Sequence, residues 1–126
     1  MTVFFSLLLF MLSLLPSLLL SNYGKAQSEA RDTERKSDIN AIHAQLEQHY
    51  AINYEYPTEQ EVLIEYDYEL PGLTEDSLFD PNGYKINDPA GSYQYTPTEC
   101  SAIGCKHYTI TARLEDKSAY QKKSLK

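Results

Sequence analysis

The chain reads as an α+β protein: a long N-terminal helix with an apolar membrane half and an amphipathic half, packed on a small antiparallel β-sheet. Three observations lead there. From Lys25 to Tyr56 there is no glycine or proline. Within that stretch Ile39, Ile42, Leu46 and Tyr50 (or His49) recur at the spacing of one helical face. Later the period changes to two, with Tyr93 and Tyr95 alternating in "SYQYT" and Tyr108, Ile110, Ala112 and Leu114 alternating in "HYTITARL".

The elements follow in order. Residues 1–22 contain no Asp, Glu, Lys or Arg, and a bilayer span needs about 20 apolar residues. A retained span is therefore expected. A cleaved secretory signal would carry a positive n-region, a shorter apolar run and a small-residue cleavage site. The remaining residues, about 100, have room for one small domain. The expected division is 1–22 as the membrane half-helix, 23–56 as the amphipathic half of the same helix, and 57–126 as a β head. Pro16 would kink the helix and Gly24 would weaken it. A continuous helix from residue 2 to residue 52 measures about 75 Å, too long for a domain of this size, so half of it must project.

Residues 25–38 are polar almost all round, and the like-charged i, i+4 pairs Arg31–Arg35 and Glu34–Asp38 are offset by Asp32–Arg35 and Asp32–Lys36. The helix should end near 53–57, because the residue before Pro57 disfavours the α region. Thr58 with Glu61 makes a capping box for a short helix through about Tyr66. "LPGL" is a loop, "TEDSLF" can hold one turn, and "DPNG" is a turn by its residue types. The strands are expected at 92–96 and 107–114, with both cysteines in the connecting segment. An edge strand is expected at 119–125, where lysines suit exposure. The eleven tyrosines, with no tryptophan, suit core and interface packing.

The net charge of −7 is unevenly spread. Residues 23–46 balance, residues 47–99 hold twelve acids against Lys85 alone, and residues 100–126 hold six bases against two acids. Such a polarised chain suits a solvated acidic face, head-to-tail contact between copies, or cation binding. It is a poor general nucleic-acid binder, because phosphate contacts need clustered Lys and Arg. No Gly-rich phosphate loop, HExxH or Gly-x-Ser-x-Gly motif is present, so no catalytic residue is assigned and no enzyme is expected. Cys100 and Cys105 read as a small disulfide loop, given the export-type first segment. A zinc site there would need two further ligands, and only His107 is near. His43 reads as a surface residue. Asp80, Asn82 and Asp88 offer oxygens of the kind calcium favours around "DPNGYKIND", without the terminal bidentate glutamate of an EF-hand, so the turn has both a structural and a calcium reading. No other cofactor is indicated.

Residues 23–58, "NYGKAQSEARDTERKSDINAIHAQLEQHYAINYEYPT", with "LPGL", "DPNGY" and "YQYTPTEC…C", resemble the type IV pilins and the related major pseudopilins of type II secretion. The resemblance implies a lollipop-shaped, pilin-like fold and a structural role. The apolar half-helix would anchor the subunit in the cytoplasmic membrane, single-pass with an extracytoplasmic head, before it packs with other copies in an extracellular filament. Its implied partners are further copies or other pilin subunits, the membrane, and the pilus assembly machinery. Its implied roles are adhesion, twitching motility or DNA uptake, or that of a secretion piston; outside the family, a single-span binding module with an acidic, cation-responsive head is the alternative. The family begins with a basic leader ending in Gly, followed by a Phe-Thr-Leu-Ile-Glu-like start. Here "MTVFFSLLLF" stands in that place, and the glutamate's position falls at about Phe4 or Phe5. Either the start is wrongly placed or the apolar segment has diverged, or else this is a divergent minor subunit that assembles differently or not at all. Lys25, Arg31, Arg35 and Lys36 after the span would by themselves put the head in the cytoplasm, whereas the disulfide and the family put it outside. Reversing Lys122 and Lys123 is expected to weaken assembly.

Overall fold

The computed structural model describes residues 1–13 and 22–126. The expected kink at Pro16 lies outside the described residues, as does the 14–21 part of the expected span. Among the described residues, no helix is long and apolar enough to cross a membrane. Helix α1 runs over Thr2–Asn53 and belongs to two compact units, Met1–Arg31 and Asp32–Lys126.

Among the described residues of the first unit, large apolar side chains are exposed. Val3, Phe4, Phe5, Leu7, Leu8, Leu9, Phe10, Met11 and Leu12 are 57 to 81 % exposed.

The second unit is the folded head. Ile39, Ile42 and Leu46 on α1 are fully buried, which bears out the periodic stripe, and Tyr50 is half-buried against the same core. Residues 25–38 are helical throughout, and the Asp32–Arg35 pair forms as the spacing predicts, with Arg35 Nη1 2.9 Å from Asp32 Oδ1. Arg35 is nevertheless buried, which a stretch polar all round does not foretell. It also approaches Glu115 at 3.7 Å and Ser92 Oγ at 3.4 Å, so it joins α1 to two later loops. After Asn53 the chain turns through Tyr54, whose φ is 61.

Thr58 caps α2 (Glu59–Ile64) with the full capping box, its side chain accepting from Glu61 N and the Glu61 carboxylate accepting from Thr58 N. The helix is shorter than expected. Glu65 ends it, and a separate turn, α3 (Tyr66–Glu69), follows. A 3-10 turn at Glu75–Leu78 buries Leu78. The "DPNG" turn closes with Gly83 N donating to Asp80 O at 2.9 Å, and Gly83 takes a φ of 89 that suits glycine.

The sheet has three antiparallel strands in the order β1-β2-β3: β1 (Tyr93–Ser101), β2 (Gly104–Arg113) and β3 (Ala119–Lys123). Tyr93 pairs with Ala112, Tyr95 with Ile110 and Pro97 with Tyr108, so the alternating apolar sets share one face, buried in a common core with α1. The opposite face presents Gln94, Thr96, Thr109 and Thr111. Strands β1 and β2 extend further than expected, and the cysteines lie within them rather than in a loop between them. The reason is the tight connection. Ser101 pairs with Gly104, leaving only Ala102 and Ile103 to turn the chain, and Gly104 has a φ of 155.

Candidate functional site

Candidate features are the hairpin, the polar groups that tie α1 to the sheet, the acidic turn, a histidine–carboxylate cluster, and the surface left to partners. Cys100 and Cys105 are bonded, as the spacing predicts. They face one another across β1 and β2, and the Cys105 backbone exchanges two 2.8 Å hydrogen bonds with Tyr56 on its other side. Cys105 is therefore in a non-hydrogen-bonded pair with Cys100, the narrower of the two antiparallel spacings, which brings side chains close. Cys105 is buried and Cys100 exposed.

Tyr50, Tyr56, Tyr95 and Tyr108 form a chain of ring contacts at 4.6 to 5.8 Å. The hydroxyls of Tyr56 and Tyr108 converge on Glu47 of α1, while Tyr95 OH donates to Pro57 O at 2.6 Å. Glu47 accepts from Tyr108 OH at 2.8 Å, from Tyr56 OH at 2.9 Å and from Leu125 N at 3.0 Å. Burial, together with the Glu47 carboxylate, pushes the Tyr56 hydroxyl up to about 12 and the Tyr108 hydroxyl higher still. Since Tyr108 spends its proton on Glu47, its oxygen accepts from His43 Nδ1 at 2.6 Å. His43 is thus half-buried beneath the sheet rather than a free surface residue. Burial lowers its proton affinity, Glu47 opposes this and Lys122 adds to it. Further along α1, Tyr93 OH donates to Asp38 Oδ2 at 2.6 Å. Burial still raises Asp38 to about 6, with Glu34 and Asp76 adding to the effect.

The acidic turn uses its own oxygens. Asp80 is buried. Its Oδ1 accepts from Asn82 N and Tyr84 N, and its Oδ2 accepts from Ser92 N and Ser92 Oγ, all at 2.8 to 3.0 Å. Burial works against ionisation here, but the donors from Ser92, Tyr84 and Asn82 outweigh it and hold Asp80 below the ordinary carboxylate value. Asp88 Oδ1 accepts from Ala90 N. Donors thus occupy both oxygens of the Asp80 carboxylate, which a calcium ion would need bare.

A different cluster has ligand geometry. Nδ1 of His49 lies 2.9 Å from Glu55 O, and Nε2 lies 2.7 Å from Glu69 Oε2. Ligand atoms of His49, Glu61 and Glu69 all lie within 4.8 Å of one another. Periodicity singles out position 49 only as an edge of the buried face. Glu61 is legible as a cap and Glu69 not at all, because α3 is too short to carry a pattern.

The bases of residues 100–126 stay at the surface. Lys106, Lys117, Lys123 and Lys126 are exposed, and among the described residues no ion pair joins them to an acid. Lys122 is half-buried, its Nζ 5.8 Å from the Tyr120 ring centre. Exposed acids of the 47–99 stretch include Glu59, Glu65, Asp67, Glu75, Asp76 and Asp88. No family model, curated protein or solved structure matches the chain.

Proposed function

We propose that the chain is a structural subunit of a type IV pilus-like filament, anchored in a membrane by its apolar N-terminal helix before assembly. The observation that carries this reading is the contrast along α1. Ile39, Ile42 and Leu46 are fully buried in the head, while Val3 to Leu12 expose nine large apolar side chains. Apolar surface on that scale is an interaction surface, met first by lipid and then by the same segment of other copies. Such an exchange keeps the surface away from water at every stage, so assembly needs no refolding of the head. Exposed acids of residues 47–99 and exposed bases of residues 100–126 give neighbouring heads opposite charges to pair.

The pilin reading stands ahead of the secretion pseudopilin one because the cysteine hairpin occupies the region where pseudopilins hold calcium. The acidic turn before it spends Asp80 on backbone donors. The role is mechanical, and no catalytic step is assigned.

The test is reconstitution of the full chain. In detergent it should be a folded monomer, it should partition into vesicles, and on slow detergent removal it should give filaments by negative-stain electron microscopy. Leu8→Asp with Leu12→Asp should abolish filaments while the melting of the head stays unchanged. A chain that stays monomeric without detergent or membrane would sink the proposal.

A further inference from the structure

We propose that His49, Glu61 and Glu69 form a binding site for a divalent transition-metal ion of the zinc class, clamping the end of α1 to α2 and α3. This goes beyond the filament role and does not depend on it.

Orientation comes first. The His49 side chain is 8 % exposed and that of Glu69 17 %. A backbone carbonyl can only accept, so Nδ1 carries a proton and donates it to Glu55 O. Metal-binding histidines are held in this way, the far nitrogen donating to a carbonyl so that the near one presents its lone pair. Nε2 then faces Glu69 Oε2 at 2.7 Å. An ionised carboxylate is also an acceptor. The contact therefore needs either a shared proton or a shared cation.

The third ligand is held just as firmly. Glu61 is fixed by the capping box, with Thr58 N and Thr58 Oγ1 donating to Oε1 at 3.2 and 2.9 Å. Its ligand oxygen lies within 4.8 Å of the other two ligand atoms. Ligand atoms around a four-coordinate ion at about 2.1 Å stand roughly 3.4 Å apart. To reach that spacing the Nε2–Oε2 pair opens by about 0.7 Å and the Glu61 oxygen comes no more than about 1.4 Å closer. An imidazole with two carboxylates suits zinc and its neighbours, whereas calcium prefers an all-oxygen shell. Three protein ligands leave a position for water. A surface cleft bordered by Gln45, Gln48, His49, Ile52, Tyr68 and Glu69 supplies the route from solvent. Binding displaces the proton between Nε2 and Oε2 to the buffer and replaces one hydrogen bond with metal–ligand bonds to three elements.

The test is a titration of the full chain in detergent micelles with Zn²⁺, followed by calorimetry and by NMR of the histidine rings. One equivalent should bind, raise the melting temperature, and shift the ring signals of His49 while those of His43 and His107 stay in place. His49→Gln and Glu69→Gln should each weaken binding at least about tenfold. Glu61→Gln preserves the cap, because glutamine also completes a capping box, and it should weaken binding while α2 stays folded. The wild-type ring spectrum decides the matter even if the other variants misfold. No Zn²⁺ binding, Zn²⁺ shifts at His43 or His107 instead, or Ca²⁺ moving the His49 signals equally well would overturn the site and leave a plain hydrogen-bonded pair.

Discussion

Glu47 shows how much one polar side chain on a helix can hold. It receives two tyrosine hydroxyls and a backbone N–H, from β2, from the segment after α1 and from the C-terminal stretch. Glu47→Ala leaves those donors without an acceptor under the sheet. It should lower the unfolding free energy by about 2 kcal/mol in a denaturant titration. Asp38 is the opposite case, a carboxylate whose ionisation the fold resists. Its proton is held up to about 6 against an ordinary 3.8, chiefly by burial. The native state therefore binds that proton more tightly than the unfolded chain, so Asp38 adds stability as pH falls from about 6 towards 4 and withdraws it above 6. His43 titrates the other way in the overlapping window, because its depressed native affinity makes acid unfavourable. The informative quantity is thus a difference. Asp38→Asn, which can still accept from Tyr93 OH, should melt higher than the parent at pH 7, and the gap should close by pH 4. A gap that stays constant with pH would mean that Asp38 does not titrate in this range.

Strand edges and the hairpin end decide how the elements hold. The free edge of β1 is covered by Asn87, which takes a left-handed φ of 67. Its side chain accepts from Tyr95 N at 2.7 Å and donates to Tyr95 O at 3.0 Å, and its N–H donates to Tyr93 O. One asparagine thus mimics a short neighbouring strand and blunts an edge that would otherwise template pairing. Asn87→Ala loses the side-chain bonds and strains the left-handed backbone, for an expected cost of about 2 kcal/mol. Light scattering should also show a greater tendency to aggregate. The disulfide closes a loop with a sequence separation of only 5. By chain entropy it should contribute about 2 kcal/mol. Reduction should lower stability by that amount and leave the far-UV spectrum of the sheet in place, because Tyr56 still bridges Cys105 through the backbone.

For the proposed filament, the charge that can register copies is the one left at the surface. Lys122 is a poor probe of it, since it packs on Tyr120 opposite Ile110 in the sheet. Its reversal should disturb the head itself. Lys106 and Lys123 are exposed and free of ion pairs among the described residues. Lys106→Glu with Lys123→Glu should shorten or abolish filaments while changing head stability by no more than about 0.5 kcal/mol. Normal filaments from that double variant would remove charge registration from the assembly proposal.

Periodicity and local chemistry sufficed for the stripe of Ile39, Ile42 and Leu46, for the capping box of Thr58 and Glu61, for the turn at Asp80–Gly83, and for the inward faces of β1 and β2. Burial of apolar area is non-directional, so a spacing that gathers apolar side chains on one face already says which face goes inside. The bonded cysteine pair was also legible, being five residues apart. Polar roles were not. Arg35, Glu47, His49 and Asn87 look in the sequence like ordinary solvent-facing residues or the edge of a stripe. Several of their hydrogen-bond partners lie far along the chain, as with Glu47 and Tyr108, 61 residues apart, or His49 and Glu69, 20 apart. A hydrogen bond depends on distance and angle between specific atoms, and only the packing of α1 against the sheet and the short helices brings those atoms together.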